Sequence, residues 1–135
     1  MFGWRSLTSA TYTTPQLGRG SSTLKIAPAR VSADTQIGLL RLLTTDAVMR
    51  EDEVLSQVGA WRVYDRWLED DRVFFLEEPP NLEPRFRTFS HQQRAAPKDW
   101  SDSYLCAFAE TVGLQLVTFD RALSTKSRDL LILAP

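Results

Sequence analysis

Apolar positions along the chain fall into helical stripes and short runs only from about Ile26 onward. Before it, Phe2, Trp4, Leu7, Tyr12, Leu17 and Leu24 are scattered among Ser, Thr, Gly, Pro and Gln, with no sustained helical or strand period. Ala29–Ser32 is a weak strand candidate, and Thr35–Leu43 places Ile37, Leu40 and Leu43/Thr44 on one helical face. Glu53–Glu69 predicts a clearer helix, with Val54, Val58, Trp61, Tyr64/Asp65 and Leu68 recurring at helical steps. Arg72–Leu76 is aromatic and β-branched and is closed by Pro79-Pro80, which predicts a buried strand. Leu82–Phe89 predicts a short helix, followed by a polar loop to Pro97.

The last third is the most legible. Ser101 is placed to cap a helix whose Leu105, Phe108, Ala109 and Val112 face the core, and Gly113 is placed to end it. Leu114–Phe119 then predicts a strand, with Asp120 just past its carboxyl end, and Leu130–Leu133 predicts another. Helices alternating with short apolar strands predict an α/β fold: three layers, with a mostly parallel central sheet flanked by helices. The domain is expected to span residues 26–135, and residues 1–25 to form an amino-terminal segment without domain-like patterning, read as disordered.

Composition narrows the classes. With 135 residues and 43% hydrophobic side chains, the chain suits one domain with a sizeable core. No apolar run approaches a membrane span, and a single cysteine excludes a disulfide framework, so a soluble, cytoplasmic protein is expected. One histidine argues against a histidine-rich metal site or a Ser-His-Asp triad. The net charge of −1 hides an asymmetry, because all 17 acidic residues lie from Asp34 onward. An acidic body is a poor general binder of nucleic acid and a reasonable host for a cation.

In open α/β sheets, ligands collect outside the carboxyl ends of the strands. Asp120 belongs there, and Asp102, in the first turn of the preceding helix, should reach the same end. Two converging carboxylates repel unless a cation lies between them, and Mg²⁺ favours such oxygens. Each also has a simpler role: Asp102 as favourable charge at a helix start, Asp120 as the cap of the turn at Arg121-Ala122-Leu123. Thr118 should share a strand face with Asp120 and orient it. Gln36 can hydrogen-bond a metal-bound water or be an exposed helix-start residue, and Asp34 reads as an N-cap. Cys106 reads as a packing residue and His91 as an exposed loop residue. Trp61, Tyr64 and Trp67 read as core and interface material, and Glu77-Glu78 as solvated charge. No phosphate-binding glycine loop is present.

Trp100-Ser101-Asp102-Ser103-Tyr104-Leu105-Cys106-Ala107-Phe108-Ala109, followed by Gly113-Leu114-Gln115-Leu116-Val117-Thr118-Phe119-Asp120, resembles the carboxyl-terminal signature of PIN-domain nucleases, above all the VapC-type toxins of toxin–antitoxin pairs. Thr35–Thr44 resembles the second signature of one VapC subgroup. The resemblance implies an endoribonuclease dependent on Mg²⁺ (Mn²⁺ as a substitute), dimeric and held by a cognate antitoxin. Asp102 and Asp120 match the family's two carboxyl-terminal acids, and Gln36 falls where many relatives carry Glu. The family's first acid, on the opening strand, has no counterpart before Asp34. Joining each third codon base to the next two bases permits Val-Trp-Val-Ala-Leu-Thr-Tyr-Glu-Arg-His-Val-His-His, the kind of sequence that follows that acid. The segment before Ile26 is therefore expected to be out of frame, with the true first strand partly upstream of Met1.

The resulting expectation is metal-assisted phosphodiester hydrolysis. Asp102 and Asp120 hold the cation, which lowers the pKa of a bound water. Gln36 steadies a water, and Arg121 and Arg41 position RNA. The alternative is a catalytically inactive remnant that only binds a partner.

Overall fold

Residues 11–13 and 28–133 are described in the computed structural model of the chain. Strands β1 (Thr11–Thr13), β2 (Ala29–Val31), β3 (Val73–Phe75), β4 (Gln115–Thr118) and β5 (Leu130–Ile132) form one sheet in the order β3-β2-β1-β4-β5. β2 pairs parallel with β3, and β4 parallel with β5, in registers Arg30↔Phe74 and Val117↔Leu131. β1 lies antiparallel between β2 and β4, with Tyr12 opposite both Arg30 and Leu116. Four of the five strands therefore run in one direction and β1 is reversed at the centre, so two of the four pairings are parallel and two antiparallel. β1 falls inside the segment that carries no strand pattern of its own; its conformation comes from pairing with two neighbours. The rest of residues 1–25 lies outside the described residues.

Two helices, α1 (Ala33–Leu43) and α2 (Gln57–Leu68), connect β2 to β3; α3 (Leu82–Phe89) and α4 (Asp99–Val112) connect β3 to β4. The chain moves outward from β2 to β3 and then back across the sheet to β4. Right-handed crossovers put connections of opposite direction on opposite faces, which yields the three layers. The core centres on α4, where Leu105, Cys106, Ala107, Phe108 and Ala109 are all buried, packed with Leu82, Leu116 and Leu123. Five consecutive buried residues mean that this helix is enclosed all round, by α3 on one side and β4 on the other. Gly113 ends it in the left-handed region, at φ 69°, where a side chain would be strained.

Several expectations need correction. Ser32, not Asp34, caps α1, its Oγ accepting from the Thr35 N–H at 3.4 Å. Ser101 does not cap α4, which begins two residues earlier at Asp99. The second helix starts only at Gln57, because Ser56 accepts from the Gly59 N–H and stops the helix from extending back. Ile37, Val58 and Trp61 are exposed, since α1 and α2 turn Thr35, Ala60 and Tyr64 inward instead. Phe74 and Phe75 are exposed too, because β3 lies at the sheet edge with a strand on one side only.

Candidate active site

The strand order places a switch point at β1: the chain leaves β2 toward one edge of the sheet and β4 toward the other. Crevices at the carboxyl ends of such strands are where α/β sheets bind ligands. α1 begins directly after β2, Asp120 directly follows β4 and Phe119, and α4 starts at the same end before running back along the sheet. The amino-termini of α1 and α4, the positive ends of their dipoles, thus lie toward the carboxyl ends of the parallel strands, a setting that favours an anionic ligand.

Asp102 is half-buried in the first turn of α4 and borders an open cavity of about 420 Å³ with Arg94, Lys98 and Asp99. Asp120 is half-buried and caps the 3₁₀ turn Arg121–Thr125 by accepting from the Ala122 N–H at 2.8 Å through Oδ1. A carboxylate has two oxygens and several lone pairs, so capping leaves acceptor capacity for a second role. Thr118 is buried, and its Oγ1 accepts from the Asp120 N–H at 3.1 Å, fixing the backbone that carries the carboxylate. Gln36 is half-buried in α1. Arg41 and Arg121 are exposed, and Arg41 attracts the Asp34 carboxylate.

Asp34 acquires a place that its sequence position does not reveal. Its Oδ1 is 3.5 Å from the Ser101 hydroxyl, which ties the start of α1 to the residue preceding Asp102. Burial pushes the Asp34 carboxyl above the usual range, against the lowering effects of Ser101 and Arg41. Arg94 and Lys98 were missed as well. Their only sequence signal is basic charge in the loop just before Asp102. Among the described residues, no three His, Cys, Asp or Glu side chains converge as a metal-binding group. The other early readings fit their surroundings: Cys106 is buried and its thiol is pushed up to about 11, mainly by desolvation, and His91 is exposed.

An α/β sheet with all strands but β1 in one direction and acidic residues at its switch point is a PIN-like architecture. No family model matches the chain. Two curated proteins named Ribonuclease VapC41, from Mycobacterium tuberculosis strains CDC 1551 / Oshkosh and ATCC 25618 / H37Rv, are each 45% identical to it over 91 residues. The match covers 65% of this chain and 62% of each relative, so the chain spans less than two thirds of their length. Over those 91 residues the chain is similar to these VapC-type ribonucleases. Among the described residues, no helix is long and apolar enough to cross a membrane.

Proposed function

We propose that this chain is a divalent-cation-dependent endoribonuclease, the toxin of a toxin–antitoxin pair, acting in the cytoplasm as a homodimer restrained by a cognate antitoxin. The observation that supports the reading is that Asp102 and Asp120 belong to separate elements, α4 and the turn after β4, that both start toward the carboxyl ends of the parallel strands, beside two helix amino-termini. Mg²⁺ is commonly held by one or two carboxylates while keeping several waters, so the donor set Asp102 and Asp120 suits it chemically. When bound, Mg²⁺ or Mn²⁺ supplies positive charge against the phosphate.

The chain's own residues divide the remaining work. Thr118 fixes the backbone of Asp120. Gln36 orients a water by hydrogen bonding, and Arg41 and Arg121 hold RNA phosphates, joined by Arg94 and Lys98 beside Asp102. A second reading, an inactive domain that only binds a partner, is favoured by the lack of a three-acid cluster among the described residues. RNA cleavage by the purified chain, with and without Mg²⁺ and beside Asp102→Asn, tests the proposal. Metal-dependent cutting lost in the variant is the expected result. A folded chain that neither cuts RNA nor binds Mg²⁺ supports the second reading.

A further inference from the structure

An open cavity of about 460 Å³ lies between α3 and the first turns of α4, and its character differs from that of the region around Asp102 and Asp120. Phe86, Trp100 and Tyr104 form its aromatic wall, with ring centroids 6.0 Å apart for Phe86–Trp100 and 5.8 Å for Phe86–Tyr104, both edge to face. Trp100 is 58% exposed, a large apolar ring left to solvent two residues before Asp102. Glu78 also lines the cavity and accepts from the Tyr104 hydroxyl through its Oε2 at 3.0 Å. Arg87, also in the lining, is ion-paired with the exposed Glu83 at 2.6 Å.

This chemistry selects its occupant. A carboxylate without a free cation beside it repels phosphate, so the backbone of a nucleic acid does not belong here. The exposed indole face suits a flat π-system, as in proteins that stack unpaired RNA bases on aromatic side chains. The carboxylate only accepts hydrogen bonds and has room for two further donors. Of the four RNA bases, only guanine offers two adjacent donors, N1–H and N2–H₂, on its pairing edge. Adenine and cytosine put a ring acceptor beside their single amino group, and uracil flanks its one donor with carbonyls.

We infer that this cavity receives an unpaired guanine near the scissile bond, stacked on Trp100 and read by the Glu78 carboxylate. The inference rests on the RNA-cleaving reading, but its test does not need cleavage. Short single-stranded oligoribonucleotides that differ by one guanine-to-adenine change are titrated against the chain in the presence of a chelator, with fluorescence anisotropy as the readout. The guanine strand is expected to bind about tenfold more tightly, the scale of one hydrogen bond to a charged group. Glu78→Gln should erase that preference while keeping the melting temperature, Trp100→Ala should weaken both strands, and Trp100→Phe should restore most of the loss. Equal binding of the two strands, no binding of either, or a preference that survives Glu78→Gln overturns the inference. Cutting of RNA without guanine preference defeats this inference alone; guanine preference without cutting defeats the nuclease reading, and with it the placement near a scissile bond, and leaves the guanine site itself standing.

Discussion

Lys126 Nζ lies 2.6 Å from Asp99 Oδ1, and both side chains are largely buried, at 15% and 17% exposure. The same ammonium donates to Ser103 Oγ at 2.9 Å and to the Phe89 carbonyl at 3.2 Å, while Ser103 donates to Asp99 Oδ2 at 2.7 Å. Lys126 follows directly on the 3₁₀ turn that Asp120 caps, and Asp99 opens the helix that carries Asp102. The network therefore fastens the turn capped by Asp120 to the helix that carries Asp102, and both to the end of α3.

Removing one partner of such a pair strands the other. Lys126→Met is expected to cost about 2–4 kcal/mol in urea denaturation at pH 7, the low side of the buried-pair range because both groups keep some solvent contact. Burial raises the Asp99 carboxyl, but its bonds to Lys126 and Ser103 outweigh this and hold it below the usual range. A depressed acid contributes stability above its unfolded pKa and loses it as pH falls through the folded one. The gap between the wild type and Lys126→Met should thus be full near neutrality and shrink in acid below about pH 4.

Asp34 behaves in the opposite sense. Its folded-state pKa is raised, chiefly by burial, so the charged form weighs against folding at neutral pH. Asp34→Asn, which keeps an oxygen to accept from Ser101, should raise the melting temperature at pH 7. The gain should fade as pH drops through the folded pKa and vanish below the unfolded one. Thermal melts from pH 3 to 8 check the sign.

Two substitutions at Asp120 separate charge from capping. Asn retains a cap acceptor for the Ala122 N–H and removes the charge; Ala removes both. Asp120→Asn should abolish RNA cleavage, at least a ~100-fold loss, with the stability kept. Asp120→Ala should lose the activity and a further ~1 kcal/mol of stability. Parallel cleavage and denaturation curves measure both.

Cys106 is 1% exposed and its thiol is pushed up to about 11, first by desolvation. Little thiolate is present at pH 8, so a thiol-selective reagent should label the native chain very slowly and the urea-unfolded chain at once. Rapid labelling of the native chain at pH 8 would show that α4 opens readily.

The α/β class was legible because Leu114–Phe119 and Leu130–Leu133 are short, mostly apolar runs that alternate with helical stripes, the pattern of a sheet covered by helices. The bounds of α3 were equally plain from Leu82 to Phe89. Ser101 misled because capping residues also serve in the first turn: once the chain entered α4 at Asp99, its hydroxyl was free to reach Asp34 on another helix. The aromatic positions Trp61, Phe74 and Phe75 read as core from their residue types, yet type cannot reveal that a strand lies at an edge or that a helix turns its alanine inward.

By itself, the sequence determined what local rules can determine: the alternation of helix and strand, the end of α4 at Gly113, and Asp120 beyond a strand. Spacing and propensity act over a few residues, and these features need nothing more. Only the tertiary structure decided that β1 runs backwards through the middle of the sheet, that Asp34 meets Ser101, and that Lys126 locks onto Asp99. Those pairings join residues far apart in the chain: Asp34 and Ser101 are 67 positions apart, and Thr11 of β1 lies opposite Val117 of β4. They follow from how strands and helices share burial across the whole domain, which no local period encodes.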